Sequence, residues 1–263
     1  MAKRPRMRAL HTSDVHLGAY DTSTDESRRE ELEAGFRRVI DIGRREQVDF
    51  MLIAGDFFDN ARVRPETMEF AAHEIARLER PTVIVPGNHD HVGPGSVYDR
   101  FDLSHVAQNL QVMRSMTGET VVLDGLEAEV WGRSHTEMVM DFQPFEGAPP
   151  RGDAPWQIGI GHGHFIHPQA LLHHSFHIRE HQLAAAERDY VALGHWERLT
   201  RVAAGEIGIA AYSGAPDALS GETGGHVLIV DFMEDGEVRL TAVPLDEGRT
   251  PVGHDDLPLL YGL

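Results

Sequence analysis

Four short segments of this 263-residue chain gather side chains able to hold metal ions and move protons. They are Ser13-Asp14-Val15-His16-Leu17-Gly18, Gly55-Asp56-Phe57-Phe58-Asp59, Pro86-Gly87-Asn88-His89-Asp90 and Gly194-His195-Trp196-Glu197. A fifth, Gly161-His162-Gly163-His164, adds two more histidines. Two divalent ions about 3.5–4 Å apart need one ligand that bridges them and several nitrogen or oxygen donors each. A carboxylate such as Asp56 has two oxygens and can bridge. Asp14 and His16 lie two apart, so on an extended segment they share a side and can grip one ion. Without sulfur donors, Mn²⁺, Fe, Zn²⁺ or Mg²⁺ all remain eligible. Taken singly, each segment also reads as an ordinary capped turn. Taken in order, each after an apolar run, they read as one site.

The elements that must position them alternate. Met7–Thr12 is a short apolar strand, and Arg29–Gln47 carries Leu32, Phe36, Val39, Ile40 and Gly43 at helical spacing. Val48–Ala54 reads as a buried strand, Pro65–Glu79 as a helix with Pro65 in its first turn, and Thr82–Val85 as another buried strand. Further strands are expected at Trp156–Gly161, Tyr190–Leu193, Gly208–Tyr212, Val227–Phe232 and Val238–Val243, with a turn at Glu234–Gly236 and one strand ending in Val130-Trp131-Gly132. Phe142–Ala154, rich in proline and glycine, reads as a surface loop. The pattern predicts an α/β fold, with sheets packed together and helices outside. In such folds ligands bind beyond the carboxyl ends of strands, which is where the five segments fall.

Composition narrows the chemistry. The chain has no cysteine, which excludes disulfides, sulfur-ligated metals and thiol nucleophiles. Lys3 is the only lysine, so a lysine-bearing phosphate loop and an internal Schiff base are excluded. Histidines number 17, more than the 5 Tyr and 11 Phe together, and histidine is both the commonest metal ligand and the usual acid or base. The net charge of −18 argues against unaided nucleic-acid binding, though bound cations change the field a phosphate meets. No stretch is apolar enough to span a membrane, and the basic start Met1–Arg8 leads into no apolar signal segment, so a cytoplasmic protein is expected. Residues 1–263 are expected to form one domain, with core motifs over 8–200, strands over 201–245 and a short tail over 246–263.

The ordered set Asp14-Val-His16, Gly55-Asp56-Phe-Phe-Asp59, Gly87-Asn88-His89-Asp90, a histidine after a strand, and Gly194-His195-Trp-Glu197 resembles the calcineurin-like metallophosphoesterases. Leu10–Gly18, Tyr190–His195, Tyr212–Pro216 and Leu219-Ser220 look most like SbcD-type DNA exonuclease subunits within that superfamily. The resemblance implies a four-layer αββα sandwich holding two divalent metal ions, Mn²⁺ foremost. It implies that Asp14 and His16 ligate the first ion, that Asp56 bridges, and that Asn88, a strand-end histidine and His195 ligate the second. His89 would face the scissile phosphate and protonate the leaving oxygen, with Asp90 orienting it, while a metal-bound hydroxide attacks phosphorus. The implied function is nuclease-like phosphodiester hydrolysis of the DNA exonuclease and repair type, in company with an SMC-type ATPase. A small-molecule phosphatase or nucleotide phosphodiesterase is the second reading, and a non-catalytic metal-binding scaffold the third.

Two departures matter. The superfamily's last motif is usually Gly-His-x-His; here Glu197 stands for the second histidine, and is expected to ligate the first ion and favour Mn²⁺. Either His162 or His164 can be the strand-end ligand; strand register favours His162, leaving His164 to touch the metal or substrate. Arg133 and His135 are weaker candidates for substrate contact, beside Ser134. His173, His177 and His181 have helical spacing, but a solvated segment is the preferred reading of His162–His181. His11, His73, His105, His226 and His254 are expected to be structural or at the surface. The acidic run Asp21–Glu33 is expected to lead a loop into a solvated helix face.

Overall fold

In the computed structural model, residues 3–21, 26–136, 139–166, 175–204, 208–217, 224–250, 252–253 and 256–260 are described. Strand β1 (Met7–Thr12) opens the chain, followed by α1 (Glu26–Arg45), β2 (Phe50–Ala54), α2 (Pro65–Leu78) and β3 (Thr82–Val85). Helix α3 (Val97–Arg100) and strands β4 (Leu110–Val112), β5 (Glu119–Leu123) and β6 (Ala128–Gly132) follow. The second half contains β7 (Trp156–His162), β8 (His164–Ile166), β9 (His177–Arg179), α4 (Glu180–Ala186) and β10 (Tyr190–Gly194). It closes with β11 (Thr200–Ala204), β12 (Gly208–Tyr212), β13 (His226–Phe232), β14 (Val238–Pro244), β15 (Val252–Gly253) and β16 (Leu259–Leu260).

Two seven-stranded sheets form, in the orders β15-β14-β13-β1-β2-β3-β4 and β16-β11-β12-β10-β7-β6-β5. In the first, β1, β2, β3 and β4 are parallel; in the second, β6, β7, β10 and β12 are. Parallel strands buried on both faces must be apolar throughout, and Phe50-Met-Leu-Ile-Ala54 is. Alternation then sorts each strand between layers. Phe50, Leu52 and Ala54 point between the sheets, with Trp156, Ile158, Tyr190 and Ala192 from the other sheet. Met51 and Ile53 point outward to Phe36, Ile40 and Ile75 of the helices. Val191 and Leu193 meet Leu183 and Ala186 of α4 on the far side. The order is therefore helix, sheet, sheet, helix: the expected four-layer αββα sandwich.

Boundaries shift where the chain leaves a helix. The Val48 N–H bonds back to the Gly43 carbonyl and Gln47 is left-handed, so β2 opens at Phe50 rather than Val48. Similarly α2 ends at Leu78, with Glu79 left-handed as its cap. The strand expected to stop at Gly161 runs on through His162. Phe142–Ala154 contains neither helix nor strand, as its composition suggested.

Candidate metal centre and catalytic cleft

The carboxyl ends of β1, β2 and β3 meet those of β7 and β10 at one edge of the sandwich. Past the strand ends, pairing between β1 and β2 continues through their turns: Asp14 N–H bonds to Gly55 O, His16 N–H to Asp56 O, and Leu17 N–H to Phe57 O, each at 3.0 Å. This zipped pair of turns holds Asp14, His16 and Asp56 in left-handed backbone, at φ 53°, 52° and 50°, and His195 also has positive φ. Non-glycine residues in that region are costly, and such strain concentrates at functional sites. Gly87 is required by close approach, because a Cβ there would strike the Asp56 carboxylate.

Neighbouring turns then fix the carboxylates. The His89 N–H donates to Asp56 Oδ1 at 2.9 Å, and the His195 N–H to both oxygens of Asp14 at 3.1 and 3.2 Å. Beneath Asp14, Ser13 Oγ lies 3.0 Å from Ser213 Oγ. Asp90 is fully buried and accepts the N–H groups of Gly87, Asp56, Phe57 and Phe58 and the Tyr98 hydroxyl. It thus braces two turns at once.

His162 crosses from the other sheet. Its Nδ1 lies 2.9 Å from the Ala54 carbonyl, to which it donates, and its Nε2 faces Asp56 Oδ2 at 3.2 Å and Asn88 Oδ1 at 3.1 Å. A ring nitrogen among oxygen acceptors needs either a proton or a cation between them. Burial opposes the proton, but Asp56 and then Asp14 outweigh it and hold His162 up to about 9. Burial would raise Asp56, yet His162 keeps it below the usual carboxylate range. Asp14 is raised, by burial first and by Asp56 as well. His195 is pushed down to about 3 by burial and by His162, so it is a neutral nitrogen donor.

Among the described residues, three groups place one ligand atom each within 4.8 Å of one another: Asp14, His16 and Asp56; Asp56, His162 and His195; and His16, Asp59 and His89. The first two share Asp56. These donors are oxygen and nitrogen only, partly buried, and include ring nitrogens ordered by backbone carbonyls, as metal-ligating histidines usually are. They fit divalent cations.

The sequence candidates separate on this geometry. Asp14, His16, Asp56, Asn88, His162 and His195 converge, and His89 stands beside them with its ring 4.9 Å from that of His16. His162, not His164, is among the carboxylates; His164 accepts from Trp196 Nε1 at 3.1 Å and lies outside the three groups. Glu197 is exposed on a wall of the cavity that Asp14 and His16 also line, and stands outside those three groups. Asp90 does not orient the His89 ring, because its carboxylate is directed to the backbone donors above. The residue that meets that ring is Asp59: its carbonyl lies 2.8 Å from His89 Nδ1, and its carboxylate approaches His16 Nδ1 at 3.5 Å. The Asp59 carboxyl is held low by the facing His16 ring.

Arg133 is no phosphate clamp. Its guanidinium donates to the carbonyls of Met116, Gln143 and Glu146 and lies over Phe142, tying down the surface loop. His135 is buried behind His162, bonding its carbonyl at 2.8 Å, so it backs the site instead of lining it. Of the histidine-rich segment, His177 falls in β9 and His181 in α4, so no single helix carries them; His167, His173, His174 and His254 lie outside the described residues, as does Leu219-Ser220. His73 and His105 are exposed, while His11 is buried with its Nδ1 2.7 Å from the Tyr190 hydroxyl. His226 is half-buried against the Gly224 carbonyl. Asp59, Tyr98 and Ser213 are the residues sequence reasoning missed. Asp59 left a trace as the last residue of Gly55–Asp59, and Ser213 as part of Tyr212–Pro216.

A cavity of about 290 Å³ opens over Asp14, His16, Asp59 and His89 and extends to Tyr20, Leu32, Glu197, Ala215 and Asp217.

Residues 7–198 match the calcineurin-like phosphoesterase family. The DNA double-strand break repair protein Mre11 of Methanopyrus kandleri is 26% identical over an alignment covering 92% of this chain and 58% of that protein. The metallophosphoesterase YhaO of Bacillus subtilis is 28% identical over 71% of this chain and 47% of its own length. The chain thus spans roughly half to three fifths of these relatives. Among solved structures, TT1561 of Thermus thermophilus superimposes with a TM-score of 0.58 at 10% identity, covering 91% of this chain and 99% of that one. A purple acid phosphatase from yellow lupin gives 0.52 at 14% identity, covering 94% of this chain and 53% of that one. At such identities these likenesses bear on fold alone. Among the described residues, no helix is long and apolar enough to cross a membrane.

Proposed function

Because this chain belongs to the calcineurin-like phosphoesterase family, hydrolases of phosphoester bonds, we propose that it is a two-metal phosphodiesterase of the DNA exonuclease type. The observation that carries the reading is the shared carboxylate: Asp56 belongs to both the Asp14–His16 group and the His162–His195 group. In this reading Asp14, His16 and Asp56 hold one divalent ion, and Asp56, Asn88, His162 and His195 hold the other. Mn²⁺ is the expected metal; the mixed set of two carboxylates, one amide oxygen and three ring nitrogens also suits Fe or Zn²⁺. When bound, the ions supply Lewis acidity toward the phosphoryl oxygens and toward the attacking water.

The chain's own residues do the rest. His89 donates Nδ1–H to the Asp59 carbonyl, so its Nε2 is the nitrogen that can pass a proton to the leaving oxygen. Asp59 holds His89 and His16 side by side. Asp90 and Tyr98 keep the turns that carry Asp56 and Asn88 in register.

A DNA substrate is supported by the Mre11 relatives, which are named as double-strand break repair proteins. With net charge −18, duplex engagement would rely on a partner, and an SMC-type ATPase is the partner proposed. Residues 1–263 are read as one catalytic domain.

The test is a substrate panel with Mn²⁺-loaded protein: single- and double-stranded DNA, cyclic nucleotides, bis-p-nitrophenyl phosphate and p-nitrophenyl phosphate. Release of nucleotides from DNA is expected. Cleavage of the monoester alone would replace this reading with a small-molecule phosphatase, and inertness toward every ester with a scaffold.

A further inference from the structure

The cavity beside the metal centre has a second half that the phosphate chemistry does not use. Away from Asp14, His16, Asp59 and His89, its wall is Ala19, Tyr20, Leu32 and Ala215, and its rim is the carboxylates of Glu197 and Asp217. Among the described residues lining it there is no lysine or arginine. An additional phosphate or carboxylate on the occupant would therefore meet Glu197, since the nearby Arg28 is already engaged by Glu31 and Asp217. An apolar wall with an aromatic ring and acceptors at the rim suits a flat, uncharged group bearing N–H donors.

Tyr20 is held ready for this. The Arg28 guanidinium lies over its ring, 5.4 Å from the centroid, and Arg28 is itself bonded to Glu31 at 2.5 Å and to Asp217 at 3.3 Å. Leu32, on the first turns of α1, joins the wall from a rigid element. A volume near 290 Å³ is ample for one base and its sugar, not for a second nucleotide.

We infer that this half of the cavity binds the nucleoside attached to the scissile phosphate, with the base stacked on Tyr20 and its amino or imino N–H groups directed to Glu197 and Asp217. The inference rests on the phosphoesterase reading for its meaning, and names the group that reading leaves open. Glu197 then serves recognition rather than metal binding.

Binding of uncharged probes tests it apart from hydrolysis. The Mn²⁺-loaded chain is placed in equilibrium dialysis with adenosine, methyl riboside and phenol. Adenosine should bind at least tenfold more tightly than either other probe. Tyr20→Ala should weaken adenosine roughly 5- to 100-fold, the range of one base–aromatic stack, while Tyr20→Phe retains it. Ala19→Phe, which fills the cavity without removing the ring, should also abolish adenosine binding, and guards against a Tyr20→Ala chain that folds poorly. Equal binding of methyl riboside, phenol binding as tight as adenosine, or adenosine binding unchanged in both Tyr20→Ala and Ala19→Phe would overturn the inference. Adenosine binding without hydrolysis of any ester would remove the proposed function and leave the nucleoside pocket standing; hydrolysis without adenosine binding would do the reverse.

Discussion

His162, at the end of β7 in one sheet, places its Nε2 3.2 Å from Oδ2 of Asp56, which lies just past the end of β2 in the other. The two sheets therefore meet through a pair of potential ligands as well as through their apolar faces. The pair makes the relative placement of the sheets part of the site.

If Asp56 serves both ligand groups, its loss and the loss of His162 should differ in stoichiometry. Asp56→Asn is expected to abolish tight binding of both Mn²⁺ equivalents, and His162→Ala to remove one of two, read by metal analysis after desalting. Glu197→Ala should keep both, since its side chain stands apart on the cavity wall. Melting gives a second readout: metal at about 100 times its Kd adds about 2.7 kcal/mol per site to the wild type, an increment Asp56→Asn should lack at both sites. Loss of metal in Glu197→Ala would return that residue to the ligand set.

His89 is held through Nδ1 by the Asp59 carbonyl, so its contribution should be to the leaving group and not to the metals. His89→Ala is expected to lower turnover of DNA by about 10²- to 10⁴-fold, the usual span for a positioned acid. The loss should be smaller for bis-p-nitrophenyl phosphate, whose nitrophenolate leaves without a proton. Metal content should stay at the wild-type level. An equal loss on both substrates would assign His89 to positioning instead.

Much of this centre was legible because its ligands sit in turns of a few residues directly after apolar strands. There the sequence distance between strand end and side chain leaves little freedom, and Asp14, His16, Asp56, Asn88 and His195 all converge. Strand period alone puts His162 and His164 on one side; what separates them is that β7 ends at His162 and His164 opens β8. What failed was partnership across turns. Asp59 and Asp90 are each near His89 in chain or motif, and nothing local says which one turns toward the ring. That depends on the zipping of the first two turns, a tertiary fact. Glu197 drew its expected role from its place in the motif alone, and its side chain stands on the cavity wall outside the three ligand groups. Strands β8 and β9 and helix α4 are too short for periodicity to reveal.

Asp90 should behave as a structural brace whose removal is felt in both stability and metal affinity. It accepts four backbone N–H groups and the Tyr98 hydroxyl, at 2.6 Å for the last. Asp90→Ala leaves those buried donors unpaired and is expected to cost on the order of 3 kcal/mol or more. Tyr98→Phe removes one donor to a buried carboxylate and should cost about 1–2 kcal/mol. Urea midpoints at unchanged m-value measure both. Tyr98→Phe retains every proposed ligand, so a weakened Mn²⁺ affinity in that variant would show that the brace also tunes the site.

His11 supplies a pH dependence that is independent of metal. It is fully buried between the sheets against Tyr190, and burial, against a smaller opposing bond to the Leu193 backbone, pushes its pKa down to about 3. In the unfolded chain the same ring titrates near 6.5. Between those values the unfolded state binds the extra proton, so the stabilising contribution is full above about pH 6.5 and is lost as pH falls toward 3. From pH 7 to pH 5 this one group should remove about 2 kcal/mol. His11→Leu eliminates the titration, though it also strands the Tyr190 hydroxyl and lowers stability at neutral pH by about 1–3 kcal/mol. The comparison is therefore of slopes: urea unfolding of metal-free wild type and His11→Leu at pH 7, 6 and 5 should show the variant losing about 2 kcal/mol less over that interval. Parallel slopes would mean that the His11 ring already accepts a proton in the folded chain.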